Sequence, residues 1–444
     1  MPGAVAGVYR EGRIITAGAG IANLNTNAPM TAELAFLTGS ITKVWSATMI
    51  MTLVDDGLLD LEAPLIGYLP HLRFGDPTVA AQLTTRHLLN HSSGIDAGDF
   101  ILDLGEGPAA NRLFVEAMAK LGQLHPPGRY SSYCNGGWVL AGHLAETLTK
   151  KSWHQLLTER VIRPLGVTRT FTDAEDGLLY GAAVGSVPDA SRPGFHMATP
   201  KFLLPKTFAP AGATLLTNVR DNLTFARMHL AGGVAPNGTR VISEKSARMM
   251  ATRTIDHPSG PATGFGLGWA HSTADGRVTL SHGGGSNGGR AMLVAVPGAD
   301  FGYATFVNSN ASELFQGALS RWIVRTFQPG GLVEPPLAPA PGAIDRARFV
   351  GTYRRATVKT TIREDGEKLI AENETVDEEY QGASAYGIGQ PVRFEMRPTS
   401  PTTLVLRAAD PSTRPTPWTF LEPDQSGRFQ LMYSGGRLAR RVPG

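Results

Sequence analysis

A single cysteine, Cys134, stands in the whole chain, so no disulfide can close within it and no cysteine-based metal site can be built. No apolar stretch reaches the roughly 18 residues of a membrane-crossing helix. The formal net charge of +3 is too small, and too evenly spread, for the electrostatic footprint of a nucleic-acid binder or of a protein held on an anionic membrane. The one late basic cluster, Arg437, Arg440 and Arg441, reads as a solvated tail. His87 and His91 have the spacing of two ligands on one helix face, but Leu88 stands where a zinc-peptidase motif carries glutamate, so the pair reads as a structural helix end. No metal or cofactor is expected. Met1-Pro2-Gly3 lacks the charged and apolar segments of a signal peptide, which predicts a cytoplasmic protein if Met1 is the native start. The first strand begins almost at once, which leaves room for a segment ahead of it. Only 18% of residues are charged and 42% are hydrophobic, a balance that excludes disorder and fits a globular enzyme.

The chain is organised around Gly39-Ser40-Ile41-Thr42-Lys43-Val44-Trp45. Apolar residues crowd all sides of the run from Val44 to Val54, which predicts a buried helix, with Gly57 as its C-terminal cap. Ser40 then lies at the first turn and Lys43 three residues on, on the same face. A serine hydroxyl is a weak nucleophile until a base takes its proton. A lysine in an apolar setting holds its proton less tightly, because desolvation disfavours the charged form. Free N–H groups at the helix start can stabilise an oxyanion. Ser-x-x-Lys is common by chance, however, and taken alone describes an N-cap followed by a solvated lysine.

Ala4 to Tyr9 and Ile14 to Ala17 read as a β-hairpin, and Val278 to Ser281, Ala291 to Val296 and Tyr303 to Val307 as later strands. Helices are expected over Leu83 to Asn90, Asn111 to Leu121, Trp138 to Leu148, Thr217 to Leu230 and Ser312 to Phe327. With strands at both ends and helices between, the first hairpin joins the late strands in one antiparallel sheet, giving an α+β domain over residues 1–327. Val187 to Gly212 carries five prolines and several apolar side chains and reads as a wall over a pocket. Residues 328–345 read as a stiff, proline-rich linker. Residues 346–444 switch to a period of two with regular turn signals, among them Gly435-Gly436, which predicts a small antiparallel β-barrel.

Three short motifs stand in order: Ser40-x-x-Lys43, Tyr133-x-Asn135 and His282-Gly283-Gly284. Over roughly residues 3 to 327 the chain resembles the serine hydrolases of the class C β-lactamase and penicillin-binding-protein superfamily. That group includes D-alanyl-D-alanine carboxypeptidases, β-lactamase-fold esterases, D-amino-acid peptidases and peptide cyclases. Leu88 to Gly94, Pro210 to Asn218 and Gly264 to Trp269 add to the likeness, and the C-terminal part resembles the lipocalin-like module of some members. The resemblance implies a β-lactamase-like fold, with an antiparallel sheet flanked by helices and an all-helical region. It implies Ser40 as nucleophile, Lys43 and Tyr133 sharing general-base work, and Asn135 holding Lys43 and a substrate amide. His282, Gly284 and Gly285 would bind substrate, and the N–H groups of Ser40 and Gly285 would form the oxyanion hole.

His282 replaces the lysine of the usual Lys-Thr-Gly and removes a permanent cation, which shifts the expected substrates toward esters, amides and peptides. A histidine titrating near neutrality would make activity vary between about pH 5 and 8. The expected partner is a small-molecule or peptide substrate, with no nucleic acid and no membrane; oligomeric state is not legible. Two other readings stay open: an acyltransferase or macrocyclase, which differs only in what attacks the acyl-enzyme, and a catalytically silent ligand-binding protein. Cys134 is a rival nucleophile without a paired histidine nearby in sequence, and reads as a buried small residue. Glu372, Glu374, Asp377, Glu378 and Glu379 read as an acidic loop, either solvated or docked at the mouth of the site to favour a cationic group. In the docked case, truncation after Phe327 would spare small esters and change selectivity among free-amine peptides.

Overall fold

The computed structural model describes residues 2–274, 276–328, 344–376, 392–406 and 417–443. Its first domain is built on a nine-stranded antiparallel sheet. In chain order the strands are β1 (Gly3–Arg10), β2 (Arg13–Asn23), β3 (Ala28–Pro29), β4 (Ile255–His257), β5 (Gly260–Phe265), β6 (Ala270–Ala274), β7 (Arg277–Ser286), β8 (Gly289–Val296) and β9 (Phe301–Val307). Their spatial order is β3-β2-β1-β9-β8-β7-β6-β5-β4. The first hairpin does join the late strands: β1 runs antiparallel to β9, with Ala4 opposite Val307 and Arg10 opposite Phe301. Strands β4 to β6 were not legible as strands, because their polar and glycine-rich residues carry no clear alternation.

The helices that matter for the site are α1 (Thr42–Asp55), α2 (Gly107–Ala117), α3 (Asn135–Thr149), α4 (Val219–Leu230) and α5 (Glu313–Phe327). Every residue of α1 from Thr42 to Leu53 is buried, so the helix is the axis of the main core, as its all-round apolar sequence requires. Trp45 stacks on Phe225 of α4 with ring centroids 3.9 Å apart. Gly57 adopts φ +72° just past the helix end, and its N–H bonds Val54 O at 3.0 Å. A 3₁₀ turn, Gly39–Ile41, leads into α1 and carries Ser40. The expected helix at Leu83 to Asn90 is shorter, Thr85–Leu89, and the one at Asn111 starts earlier, at Gly107.

Residues 187–212 hold part of a small hairpin, Ser186–Pro188 with His196–Ala198, and then the 3₁₀ segment Lys206–Ala211. That segment is clamped on both sides. Ser46 of α1 donates its hydroxyl to Pro210 O at 2.9 Å and accepts from the Trp153 indole at 3.0 Å. Across from it, a Cβ on Gly142 of α3 would lie 2.5 Å from Pro210 Cγ, so only glycine lets α3 approach this closely.

The C-terminal part is a closed eight-stranded barrel: β10 (Gly351–Arg355), β11 (Val358–Asp365), β12 (Lys368–Thr375), β13 (Val392–Ser400), β14 (Thr403–Leu406), β15 (Pro417–Pro423), β16 (Phe429–Ser434) and β17 (Arg437–Val442). Phe349, Tyr353, Phe420 and Phe429 pack at its centre. Closure comes from β10 pairing with β17, Thr352 opposite Val442. Two expectations fail here. Arg437, Arg440 and Arg441 are not a solvated tail but part of the closing strand, which also carries the buried Leu438 and Ala439, one on each face. Glu372 and Glu374 lie in β12 rather than a loop, ion-paired to Arg363 at 3.3 Å and Lys359 at 2.7 Å on β11. Asp377, Glu378 and Glu379, like most of the expected linker, fall outside the described residues.

Candidate active site

The 3₁₀ turn and the first turn of α1 place Lys43 beside Ser40. Lys43 Nζ lies 2.9 Å from Ser40 Oγ and donates to Ala211 O at 2.6 Å. Lys43 is wholly buried, and burial, reinforced by the positive charge of Arg437, depresses its pKa well below that of an ordinary lysine. The clamped 206–211 segment is what aims Ala211 O at the amine. Asn135 opens α3 and donates its amide to Gly98 O at 2.9 Å; the Ala211 carbonyl thus has the place at Lys43 that the resemblance gave to Asn135.

Tyr133 precedes α3, its ring centroid 5.0 Å from Lys43 Nζ and 6.2 Å from the His282 ring. His91 stacks on Tyr133 at 4.2 Å and accepts the Cys134 N–H at Nδ1, at 3.0 Å. His91 is therefore more than a helix end. It is a buried residue held at φ +60°, which a non-glycine residue adopts only under constraint, and it fixes both the plane of Tyr133 and the start of α3. Cys134 caps that helix: Sγ accepts the Gly137 N–H at 3.4 Å, and burial pushes its thiol pKa up, opposite to what a nucleophile needs.

His282 lies within β7, not beyond its end, and is buried. Its Nδ1 is 2.6 Å from Gly283 O, and burial first, then Lys43, lower its pKa to about 3. A pKa of about 3 leaves the imidazole neutral between pH 5 and 8, against the expectation of a group titrating in that range. The expected result is a kcat/KM profile with no inflection from His282 in that range, and His282→Gln should leave its pH limbs in place. A limb that disappears in His282→Gln would contradict the buried, neutral assignment.

The glycines of β7 seat the nucleophile. β6 pairs with β7 only from Arg277 to Ser281, so Gly283 to Gly285 run past the end of β6 toward Ser40. A Cβ on Gly284 would lie 1.8 Å from Thr38 O and 3.2 Å from Ser40 N, whereas one on Gly283 would meet Met292 Cε at 3.7 Å and Ala291 O at 3.9 Å, both ordinary contacts. Gly39 packs against the Gly285 backbone just as tightly. Gly284→Ala is therefore expected to lower activity at least 100-fold or to prevent folding, while Gly283→Ala stays within about threefold of wild type and within about 1 kcal/mol in stability. Thermal unfolding and ester turnover of the two variants check this; equal behaviour would contradict the close approach. A cleft of about 350 Å³ opens beside this strand, lined by Ser40, Tyr133, Phe265, His282, Gly285 and Arg290. On the other side of Ser40 a much smaller space, about 20 Å³, is walled by Leu204, Pro205 and Phe208, so the proline-rich segment does border the site.

Sequence reasoning offered a barrel docked at the site through its acidic stretch, and missed the turn that makes the contact. The β16–β17 turn reaches the first domain: Tyr133 N–H donates to Gly436 O at 2.9 Å, and Leu438 N–H to Ser132 Oγ at 3.1 Å. The Arg437 guanidinium sits 5.1 Å from the Tyr133 ring centroid, and its Nε is 3.0 Å from Asp99 Oδ1. The Gly435-Gly436 turn was visible as a hairpin signal, but nothing in a linear reading connects it to Tyr133, some 300 residues earlier.

Residues 1–325 match the Beta-lactamase family, and with that match the chain belongs to this family, whose members of known activity include serine hydrolases. Penicillin-binding protein 4 of Amycolatopsis lactamdurans is 36% identical over 361 residues, covering 80% of this chain and 93% of that protein. Among solved structures, SurE superimposes with a TM-score of 0.79 at 26% identity over 99% of this chain and 95% of its own, and a second SurE structure contains D-Leu. The D-amino acid amidase of Ochrobactrum anthropi shares the fold over 69% of this chain and 86% of its own, with a TM-score of 0.58 at 23% identity. Among the described residues no helix is long and apolar enough to cross a membrane.

Proposed function

We propose that the protein is a serine hydrolase that works through an acyl-enzyme at Ser40, on an ester, an amide or a peptide bond involving a D-amino acid. The observation that carries this reading is a wholly buried lysine amine 2.9 Å from a serine hydroxyl. Burying a charged amine is costly, so Lys43 is stable there as the neutral base. In that state the Ser40 O–H donates to the Lys43 lone pair, and proton transfer along this bond frees the oxygen to attack the acyl carbon. The N–H groups of Ser40 and Gly285 would receive the oxyanion. Tyr133, beside Lys43, would give its phenol proton to the leaving group and take the proton that Lys43 holds; water then attacks the acyl-enzyme, releasing the acid and returning a proton to Ser40. Neutral His282 would orient substrate by hydrogen bonding and not by charge. On this reading residues 1–327 form the catalytic domain and 346–444 a barrel domain that borders it.

The D-Leu in SurE, a protein similar to this chain along nearly its whole length, supports a D-residue at the bond acted on. Acyl transfer to an amine would use the same steps up to the last, where the amine replaces water. A serine-directed fluorophosphonate followed by peptide mass spectrometry tests the nucleophile: modification at Ser40 alone is expected, and modification elsewhere would refute it. A panel of p-nitrophenyl esters, D- and L-amino-acid amides, nitrocefin and peptidyl thioesters, with and without an added amine, then separates the substrate classes and distinguishes hydrolysis from transfer.

A further inference from the structure

Resting on that reading of Ser40 and Lys43, the geometry points to a role for the barrel inside the catalytic machinery. We propose that Arg437 is a positioning residue, which holds the Tyr133 ring in place and keeps a fixed positive charge on the same ring that the Lys43 amine approaches. The turn that carries it is built for close approach, since Gly435 and Gly436 adopt φ +56° and +81°, and Gly436 O takes the Tyr133 N–H. The guanidinium lies over the same Tyr133 ring that Lys43 Nζ approaches. Asp99 keeps it there. Its two carboxylate oxygens hold two barrel arginines, Arg437 Nε at 3.0 Å and Arg355 Nε at 2.7 Å. Burial pushes the Asp99 carboxyl up, but Arg437 and Arg355 more than offset this and leave it below the usual value, so the anchor is ionised.

Of the groups that act on Lys43, Arg437 is the fixed cation. His91 on the loop after the short helix, His257 on β4 and His282 on β7 are all held neutral by burial, with pKa values lowered well below the ordinary range for His91, to about 4 for His257 and to about 3 for His282. The Cys134 thiol is protonated, because burial raises its pKa. After burial itself, Arg437 is the strongest influence lowering the Lys43 pKa. Arg355 and Asp99 form the next layer, together with Asp96, whose carboxyl burial raises to about 6; as Asp96 is present in wild type and variants alike, the shift between them, not the absolute limb, reads Arg437.

The sign follows. Removing the Arg437 charge lets Lys43 bind its proton more tightly, so the acid limb of kcat/KM, where the base becomes protonated, should move to higher pH. Full-length wild type, Arg437→Gln and Arg437→Lys are compared on a p-nitrophenyl ester from pH 4.5 to 9, with burst-phase acylation read at each pH. Arg437→Gln is expected to shift the limb upward by about half a unit to one unit and to lower kcat severalfold. Arg437→Lys should return the limb to within about 0.2 unit of wild type while leaving kcat low, because the charge is restored and the planar group over the ring is not. A purely structural arginine would lower activity at all pH values alike, so an unshifted limb in a folded Arg437→Gln overturns the proposal. Where Arg437→Gln does not fold, Arg437→Lys decides through kcat, and a wild-type kcat overturns it. If wild type is never acylated at Ser40, the serine-hydrolase reading falls and this inference with it; acylated wild type with unshifted variants removes the inference alone.

Discussion

Ser40→Ala is expected to reduce turnover by at least about 10⁴-fold with the fold intact. The size follows from how nucleophilic serines behave: removing the nucleophile of an acyl-enzyme site leaves only the residual catalysis of the oxyanion donors and of binding. The intact fold follows from this structure. Ser40 is only partly buried, and its hydroxyl has Lys43 Nζ 2.9 Å away, so alanine removes one polar contact and no packing. Seating of the turn depends on the Thr38, Gly39 and Gly284 backbones, which the substitution does not touch. Steady-state turnover, thermal unfolding and intact mass after incubation with substrate together check this. A folded Ser40→Ala protein that still accumulates an acyl adduct would show that another residue is the nucleophile.

The second large effect is expected at the base. Lys43→Met and Tyr133→Phe should each lower the acylation rate by about 10²- to 10⁴-fold. The double variant should fall short of the product of the two, because residues that move one proton act as a unit. Full acylation and deacylation rates in Tyr133→Phe would reduce Tyr133 to a packing residue. Lys43→Met also makes a stability prediction. The folded-state pKa of Lys43 is depressed, so below 10.5 and above that lowered value the unfolded chain binds a proton that the folded chain does not. Stability from this group is complete above 10.5 and is lost as pH falls toward the folded value. Lys43→Met deletes that slope, so the variant should be at least as stable as wild type near neutral pH and should gain less between pH 7 and 10. Thermal unfolding at several pH values reads both.

The interface between barrel and first domain changes what deletion of the barrel would do. Truncation after Phe327 was expected to spare small esters. With Gly436 O on the Tyr133 N–H, Leu438 N–H on Ser132, and Leu431, Tyr433 and Leu438 packed on Leu124, removal would strip the Tyr133 loop of its support. Single substitutions in the full chain therefore separate the barrel's contribution more cleanly than truncation does.

The sequence alone determined what depends on local order. The Ser40 to Lys43 spacing, the all-apolar α1, the Gly57 stop and the alternation of most C-terminal strands are short-range signals, and those elements formed where their own residues dictated; the charge-rich β12 and β17 did not show themselves. Family likeness added Tyr133, Asn135 and His282, because motifs in order carry information that no single motif does. Tertiary structure decided the rest, since charge state and contact belong to surroundings that a linear reading does not hold. The protonation of His282 depends on burial beneath neighbours from elsewhere in the chain. The second acceptor for Lys43 is a carbonyl, Ala211 O, and every residue has a carbonyl, so no side-chain pattern can point to this one. Arg437 looked like a solvated tail because a charged residue near a chain end usually is one. Only closure of the barrel, which pairs β17 with β10 and brings the β16–β17 turn against Tyr133, puts that charge over the ring that Lys43 also approaches.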